Sequence, residues 1–438
     1  MRNGFIFSEN RCVGCQACVA SCVLENSWPV QPRSIYTFNS GAYPSLPLAN
    51  LSLACNHCEK PACLDACPVQ AFYREPDTGA VLLDEKKCIG CNYCKWNCPF
   101  DAPKYDNADR VIVKCNLCHT GLTEGRIPAC ASACPTGALG FGEIPEKTDN
   151  KYLSWFPDTK MNPAVKLNTD RRPETLRIIP ENSFTSMEAD KKDRKNIAGE
   201  RSLIGFSFLI TISVALLISS LLNGMLPDKV LFLAPVISAG CISLFHPGKI
   251  FRAWRSVTNI KSSPLSREIA VYLAYLVISA AALFSGYTSL AVAASITGLL
   301  LLIVIDNVYT SSDNRRFLIL HSGQTFLSGL LIASFLSGMI YPFVFIAIIK
   351  LISTIYIATK KSVVASPPWI RFLRIALLII AGVSLVTGIS YPEPFIIAVF
   401  LIGEFFDRIL YYYDFSPFNI STLITEHINS AINEKKSD

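Results

Sequence analysis

The chain has 438 residues, of which 51% are hydrophobic and 17% charged, and its mean hydropathy is +0.35. This balance excludes a disordered or fibrous protein and fits a soluble one poorly. The net charge of +6 comes entirely from residues 201–438, which hold 17 Lys/Arg and 11 Asp/Glu, whereas residues 1–200 hold 23 of each. A modest positive excess on an apolar half favours loops beside a membrane over a nucleic-acid face.

The first fifteen residues, MRNGFIFSENRCVGC, contain no apolar segment and no twin arginine, so we expect no export signal on this chain. Sixteen of the 17 cysteines lie between Cys12 and Cys134, and only Cys241 lies beyond them. So many thiols in one stretch indicate either a disulfide scaffold or a metal-binding domain.

The sixteen cysteines form four groups of four. Three closely spaced thiolates suit one [4Fe–4S] cubane, and a fourth cysteine, separated from them by three residues and usually followed by proline, binds the other cluster of a pair. Zinc would favour paired CxxC units, and disulfides would need an oxidising compartment, so the spacing predicts four [4Fe–4S] clusters. Groups I to IV are Cys12, Cys15, Cys18, Cys22; Cys55, Cys58, Cys63, Cys67; Cys88, Cys91, Cys94, Cys98; and Cys115, Cys118, Cys130, Cys134.

A resemblance to a known family is carried by CVGCQACVASC, CNHCEKPACLDACP, CIGCNYCKWNCP and CNLCHTGLTEGRIPACASACP, which cover residues 12–135. They closely resemble the iron–sulfur subunit of the DMSO reductase family of molybdenum oxidoreductases. The resemblance implies that each cluster takes three cysteines from one group and its fourth cysteine from a second group. Group I is paired with group IV in this way, and group II with group III. The implied ligand sets are Cys12, Cys15, Cys18, Cys134; Cys22, Cys115, Cys118, Cys130; Cys55, Cys58, Cys63, Cys98; and Cys67, Cys88, Cys91, Cys94.

We therefore predict an α+β ferredoxin-like domain over residues 1–140. A row of cubanes conducts electrons, and its potentials depend on hydrogen bonds to sulfur, net charge and burial. Six nearby lysines are candidates for raising these potentials, and a solvated or partner-facing surface is the alternative interpretation. They are Lys60, Lys86, Lys87, Lys95, Lys104 and Lys114. Residues 141–201 contain no cysteine and end in a charge run, which predicts a linker to the membrane.

From residue 202 the sequence turns apolar in blocks of about 20 residues, the length that one helix needs to cross a bilayer. We predict an all-α membrane anchor over residues 202–438 with eight transmembrane helices. They cover residues 202–223, 229–246, 269–287, 289–309, 317–340, 341–359, 370–390 and 394–413.

Alternation of these helices places the cysteine-rich domain and the loops 247–268, 310–316 and 360–369 on one face. Eleven Lys/Arg lie in or beside these loops, whereas the opposite face shows only Lys229. The positive-inside rule then predicts a multi-pass protein of the cytoplasmic membrane with its iron–sulfur domain in the cytoplasm. The eleven are Lys249, Arg252, Arg255, Lys261, Arg267, Arg315, Arg316, Lys360, Lys361, Arg371 and Arg374.

The segment SLFHPGKIFRAWRSVTNIKSSPLSREI, residues 243–269, resembles the membrane subunit of the same family, which binds quinone and no haem. Ionisable groups within a membrane are costly and are functional candidates by default. The predicted quinone site comprises His246, Arg252, Glu268, Asp306 and His321. The resemblance assigns His246 to the quinone carbonyl, and we expect Asp306 or Glu268 to handle protons.

Gln324, Asp407 and Arg408 are predicted near the same face as the quinone site. The alternative for Asp306, Asp407 and Arg408 is that they form helix-end pairs that hold the bundle together. Lys350 and Glu404 lie near the middle of their spans, where a buried ion pair and a proton path are the two interpretations.

These features predict an electron-transfer and anchor subunit, and the resemblance implies that it links a catalytic molybdenum bis-pterin subunit to membrane quinone. We expect no nucleic-acid partner. One branch of the family that it resembles faces the cytoplasm and oxidises sulfite to sulfate with quinone reduction, and the predicted cytoplasmic face favours this branch. The alternatives are a quinol-oxidising subunit of a DMSO, polysulfide, thiosulfate or tetrathionate reductase, and an electron-driven proton pump. Sixteen cluster ligands argue against a passive scaffold.

Overall fold

The computed structural model describes residues 2–39, 48–147, 156, 159–168, 197–311, 324–359, 367–387 and 394–415. The chain divides into two compact units, the second of which is Lys195–Ser416. The predicted quinone-site residue His321 lies outside the described residues, as do the loop charges Arg315, Arg316, Lys360 and Lys361.

Short antiparallel hairpins and one three-stranded sheet build the first unit. The sheet has the order β8–β1–β9, in which β1 is antiparallel to β8 and parallel to β9. Three two-stranded hairpins pair β2 with β3, β4 with β5, and β6 with β7. The strands are β1 (Arg2–Ser8), β2 (Ser34–Asn39), β3 (Leu48–Leu53), β4 (Phe72–Arg74), β5 (Val81–Leu83), β6 (Lys104–Asp106), β7 (Val111–Val113), β8 (Leu139–Ile144) and β9 (Val165–Asn168).

Five short α-helices carry or follow the cysteine groups in the described part of this unit. Three of them end within two residues of a Cys-Pro pair, where proline cannot continue a helix. The helices are α1 (Ala17–Asn26), α2 (Ala62–Ala66), α3 (Tyr93–Trp96), α4 (His119–Thr123) and α5 (Ala129–Ser132). This mixture of short strands and helices agrees with the predicted α+β class.

Part of the first sheet lies within the predicted linker, residues 141–201. Strand β9 pairs with β1 in register from Phe5 opposite Val165 to Ser8 opposite Asn168, so the chain returns to the first sheet after the predicted boundary. Val165 and Leu167 are buried there. A four-residue strand without a cysteine motif leaves too little pattern in the sequence to reveal this return.

Eight helices of the second unit, as far as it is described, fall on the eight apolar segments. They are α6 (Ile197–Leu222), α7 (Lys229–Ser243), α8 (Pro264–Ser285), α9 (Thr288–Thr310), α10 (Thr325–Leu336), α11 (Ile340–Thr359), α12 (Pro368–Val386) and α13 (Pro394–Asp414). A 3₁₀ segment, Ile250–Val257, lies between α7 and α8.

Five of these helices are long and apolar enough to span a bilayer, namely α6, α8, α9, α11 and α12. They indicate a membrane-integral protein. Helices α7 and α10 have 15 and 12 residues, and α13 carries four ionisable residues. Eight spans therefore remain a prediction, with five supported by length and hydropathy.

Close helix packing in this unit depends on small residues, as is typical of membrane bundles. Gly298 of α9 faces α6 and α8 so closely that an added Cβ would lie 2.9 Å from both Tyr275 Cε2 and Val214 Cγ2. Elsewhere Phe335, Phe343 and Phe400 form an aromatic core, with the Phe335 and Phe400 ring centroids 4.4 Å apart.

Replacing Gly298 with alanine should lower the free energy of unfolding by about 1–3 kcal/mol, because the methyl group overpacks a rigid ring and a β-branched side chain. Gly382→Ala is the matched control, since its Cβ would meet Phe343 at 3.5 Å, an ordinary contact. Helix propensity favours alanine by about 1 kcal/mol, so the control should be neutral or slightly stabilised. Thermal unfolding in detergent measures both, and equal stability of the two variants would contradict this packing.

Candidate functional site

The four CxxC loops share one backbone feature. The residue just before the second cysteine has positive φ in every group, with values of 71° at Gly14, 41° at His57, 68° at Gly90 and 63° at Leu117. Glycine adopts this conformation without steric penalty. A side chain there costs roughly 1–2 kcal/mol, so the surrounding structure must hold His57 and Leu117 in place. Turns of this kind direct backbone N–H groups into a concavity suited to negative charge.

Two cavities each bring three closely spaced cysteines together with the fourth cysteine of another group. Cys12, Cys15, Cys18 and Cys134 line the first, beside Phe7 and Leu139. The second is lined by Cys67, Cys88, Cys91 and Cys94, beside Phe72 and Ile112. Each has an empty volume of about 290 Å³, including the space at its mouth.

The remaining cysteines also fall into two sets of neighbouring thiols. Cys58 interacts electrostatically with Cys55, Cys98 and Cys63. Cys22 interacts with Cys130 and Cys118, and Cys115 interacts with Cys22 and Cys130. The cavities and these contacts bring cysteines of group I near those of group IV, and cysteines of group II near those of group III.

Burial makes these thiols poor free thiolates. It raises the pKa of Cys22, Cys91 and Cys98 to about 12 and that of Cys94 and Cys115 well above the usual range. Bound iron offsets this penalty by supplying positive charge, so the sets fit iron–sulfur clusters. Within the described residues no three ligating groups converge on a single-ion site. A cubane needs no such convergence, because each cysteine binds a different iron.

Several hydrogen bonds reach the sulfur atoms directly. Backbone N–H groups of Ala71, Leu117 and Leu139 donate to Cys67, Cys115 and Cys134 over 3.3, 3.4 and 3.4 Å. Ser52 Oγ lies 3.3 Å from Cys18 Sγ. Although burial acts to raise the pKa of Cys134, hydrogen bonds from Leu139, Thr136 and Ala138 lower it below its usual value. Such bonds favour thiolate and tune the potential of a bound cluster.

A second set of functional candidates lies inside the helical unit. Lys350 of α11 forms a buried ion pair with Glu404 of α13 and lies 2.9 Å from Asp407 Oδ2. The Asp407 carboxylate also lies 3.0 Å from Arg374 Nε. Ser328 Oγ accepts a 2.8 Å hydrogen bond from Lys350. The ion-pair interpretation of Lys350 and Glu404 is confirmed, in a network whose two cations balance two carboxylates.

One sequence-based placement is wrong. Arg374 does not belong with the loop charges, because its side chain is fully buried and paired with Asp407. Asp407 pairs with Lys350 and Arg374, in agreement with the alternative that it holds the bundle together. The buried residues of α12 are Ile370, Arg374, Leu378, Ala381 and Ser384, so helical periodicity alone could have assigned Arg374 to the buried stripe.

The other predicted quinone-site residues are partly brought together. Asp306 accepts hydrogen bonds from Thr325 N, Thr325 Oγ1 and Phe326 N over 2.8–3.0 Å, so it caps the start of α10. The cap is a structural role at a helix end, and the proton-handling role of Asp306 stays a prediction. Glu268 is buried, and both carboxylates interact electrostatically with Arg408. His246 and Arg252 are half-buried in the segment that precedes α8.

Arg408 is held by hydroxyl and aromatic groups. Its Nε donates to Ser207 Oγ over 2.9 Å, and its guanidinium lies 4.7–5.3 Å from the ring centroids of Tyr309, Tyr411 and Tyr412. Tyr309 and Tyr412 hydrogen-bond to each other through their hydroxyls. The pattern of charged residues along the sequence could not identify these tyrosines, since a single tyrosine near a helix end gives no indication of which residue it contacts.

Comparisons with known proteins agree with this geometry. Residues 48–144 match the model of the 4Fe-4S dicluster domain family. The chain is 34% identical over 184 residues to a sulfite dehydrogenase subunit of Allochromatium vinosum, covering 37% of this chain and 72% of that one. It is 35% identical over 187 residues to a subunit of the anaerobic dimethyl sulfoxide reductase of Escherichia coli, covering 39% and 91%. This protein belongs to the same family of iron–sulfur subunits.

A tetrathionate reductase subunit of Salmonella typhimurium is a further relative, 36% identical over 147 residues that cover 33% of this chain and 58% of that one. The resemblance inferred from the cysteine motifs is thus confirmed. This iron–sulfur subunit combines a 4Fe–4S electron-transport domain of an oxidoreductase with helices able to span a membrane.

Lys350→Met should lower the free energy of unfolding by about 3–5 kcal/mol, because it leaves Glu404 and Asp407 buried with one cation. The double variant Lys350→Met, Glu404→Gln removes one charge of each sign and should recover much of this loss. Denaturant titration of both proteins in detergent measures the difference. Equal losses in the single and double variants would refute a charge-balanced network.

Proposed function

We propose that this chain is the electron-transfer and membrane-anchor subunit of a molybdenum oxidoreductase complex of the cytoplasmic membrane. The observation that carries the proposal is the combination, on one chain, of four cysteine sets with helices long and apolar enough to span a bilayer. In this proposal electrons pass between a catalytic molybdenum bis-pterin subunit and membrane quinone. The positive-inside pattern supports a cytoplasmic iron–sulfur domain.

The proposed ligands form four sets, each of which would hold one [4Fe–4S] cluster. Such a cluster supplies one-electron storage when bound. The chain's own residues would hold it through four thiolates, exclude water through the buried apolar residues around the sulfurs, and stabilise negative charge through N–H groups. The sets are Cys12, Cys15, Cys18, Cys134; Cys22, Cys115, Cys118, Cys130; Cys55, Cys58, Cys63, Cys98; and Cys67, Cys88, Cys91, Cys94.

The proposed quinone site comprises His246, Arg252, Glu268, Asp306 and His321. Within this set Glu268 is the better candidate for handling protons. The Asp306 carboxylate already accepts three hydrogen bonds at the start of α10, and protonating it would weaken that cap. No such cap engages Glu268 among the described residues, and it is buried near Arg408.

Sulfite oxidation to sulfate with quinone reduction is the proposed reaction. Similarity to the sulfite dehydrogenase subunit supports it, together with the predicted cytoplasmic face. Similarity to the dimethyl sulfoxide and tetrathionate reductase subunits supports the opposite direction as the second candidate, in which quinol reduces the clusters. A proton pump through Lys350 and Glu404 is less well supported, since both groups are engaged in a balanced network.

Exchange of the fourth cysteine between groups can be tested by cysteine replacement. Cys22→Ser and Cys118→Ser should alter the same EPR signal, because both residues are assigned to one cluster, and Cys15→Ser should alter a different one. Iron analysis and EPR of the reduced protein provide the measurement. Cys241→Ser is the control and should leave iron content and all signals unchanged. If Cys22→Ser and Cys15→Ser altered the same signal, the exchange would be refuted.

The direction of electron flow can be tested by anaerobic EPR of membranes that contain this chain and its catalytic partner. Sulfite should produce reduced-cluster signals, which an oxidised quinone analogue should then remove. Membranes from a strain that lacks this gene are the control. If sulfite has no effect and quinol reduces the clusters, the chain serves a reductase instead. In His246→Ala membranes sulfite should still reduce the clusters, but quinone should reoxidise them at least about tenfold more slowly.

A further inference from the structure

Arg33, which immediately precedes β2, is a cation enclosed in the core of the first unit. Its side chain is 1% exposed, and its guanidinium lies 4.7 Å from the centroid of the Phe5 ring. Nη1 donates to Ser52 Oγ over 3.0 Å. Nε and Nη2 have no hydrogen-bond partner in the described part of the chain, and no described carboxylate lies within ion-pair distance.

A buried cation without a counter-charge destabilises a fold by several kcal/mol. The charged groups that act most strongly on Arg33 are the sulfurs of Cys130, Cys115, Cys18 and Cys22, and the Arg33 side chain hydrogen-bonds to Cys130. A direct chain of contacts leads from Arg33 through Ser52 to Cys18, whose sulfur lies 3.3 Å from the Ser52 hydroxyl. Cys18 belongs to one proposed ligand set, whereas Cys22, Cys115 and Cys130 belong to another. The Arg33 guanidinium therefore lies near two proposed ligand sets.

Other cations near the cysteines have different partners. Lys114 is also buried, but its Nζ donates to the backbone carbonyls of Val81 and Cys115, and the cysteine that it acts on is Cys63, which belongs to a different proposed set. Arg126 is 56% exposed at its side chain and pairs with Glu25 and Glu124. The charged groups that act most strongly on Arg33 are cysteine sulfurs, and no described carboxylate pairs with it.

We propose that Arg33 raises the reduction potentials of two clusters, those held by Cys12, Cys15, Cys18, Cys134 and by Cys22, Cys115, Cys118, Cys130. This inference rests on the proposed function, because it requires clusters in these sets. Four thiolates make each ligated cluster net negative, and reduction adds one electron to it. A nearby cation in a low-dielectric core stabilises the reduced form more than the oxidised form and so raises the potential.

The test compares Arg33→Met, which removes the charge at similar length, with Arg33→Lys, which keeps it. The full-length protein in membranes is titrated with dithionite, and each cluster is followed by EPR. In Arg33→Met the one-electron reduction equilibrium of two clusters should become about tenfold less favourable, a shift of ~59 mV, while the other two clusters stay unchanged. Arg33→Lys should retain most of the wild-type potentials. Arg126→Gln, which removes an exposed arginine, should shift none.

Each outcome decides the inference. Four clusters with unchanged potentials in Arg33→Met would overturn it. If Arg33→Met lost only the two assigned clusters while Arg33→Lys kept all four, the positive charge would be what holds those two clusters. This outcome would support the electrostatic pairing of Arg33 with them. Loss of all four clusters in both variants would overturn it by showing a purely structural role. Wild-type protein with fewer than four clusters would instead refute the proposed function, and iron analysis detects this before any titration.

Discussion

Burial of thiols is the constraint on which the first unit depends. Its apolar clusters contain cysteine side chains where a domain of this size would ordinarily place aliphatic ones, including Cys18, Cys115 and Cys130 in one and Cys67, Cys88 and Cys94 in the other. Thiolates in such surroundings are stable only beside positive charge. Metal binding and folding are therefore coupled, and the short hairpins and helices serve mainly to hold the cysteine loops. Left-handed residues such as His57 and Leu117 show that the loops are held against their own conformational preference.

The helical unit also buries charged groups, and their partners there are protein side chains. Lys350, Arg374, Glu404 and Asp407 come from α11, α12 and α13, so their pairing fixes the relative rotation of three helices. The buried guanidinium of Arg408 is contacted by a serine hydroxyl and three tyrosine rings. In both units a buried charge is kept only where specific partners surround it, and these places hold the functional candidates.

Local patterns predicted much of this protein. The cysteine spacing led to the family, since ligation to a cubane depends on short-range spacing along the chain. The eight apolar segments fall on eight described helices, five of which have the length and hydropathy that a bilayer span requires. Sequence patterns did not predict contacts between residues that are far apart in the sequence. Strand β9 meets β1 across more than 150 residues, and Asp407 meets Arg374 where a loop charge was expected.

The sequence by itself determined the class of cofactor, the family and the membrane character, because each depends on composition or on neighbours a few residues apart. Only the tertiary structure decided which buried charges face one another. It separated Asp407 from Asp306, made Asp306 a helix cap, and brought Arg33 among the sulfurs of Cys18, Cys22, Cys115 and Cys130. The electrostatic energy of a buried group depends on distance in space and on local burial, and neither quantity is encoded in the spacing of residues along the chain.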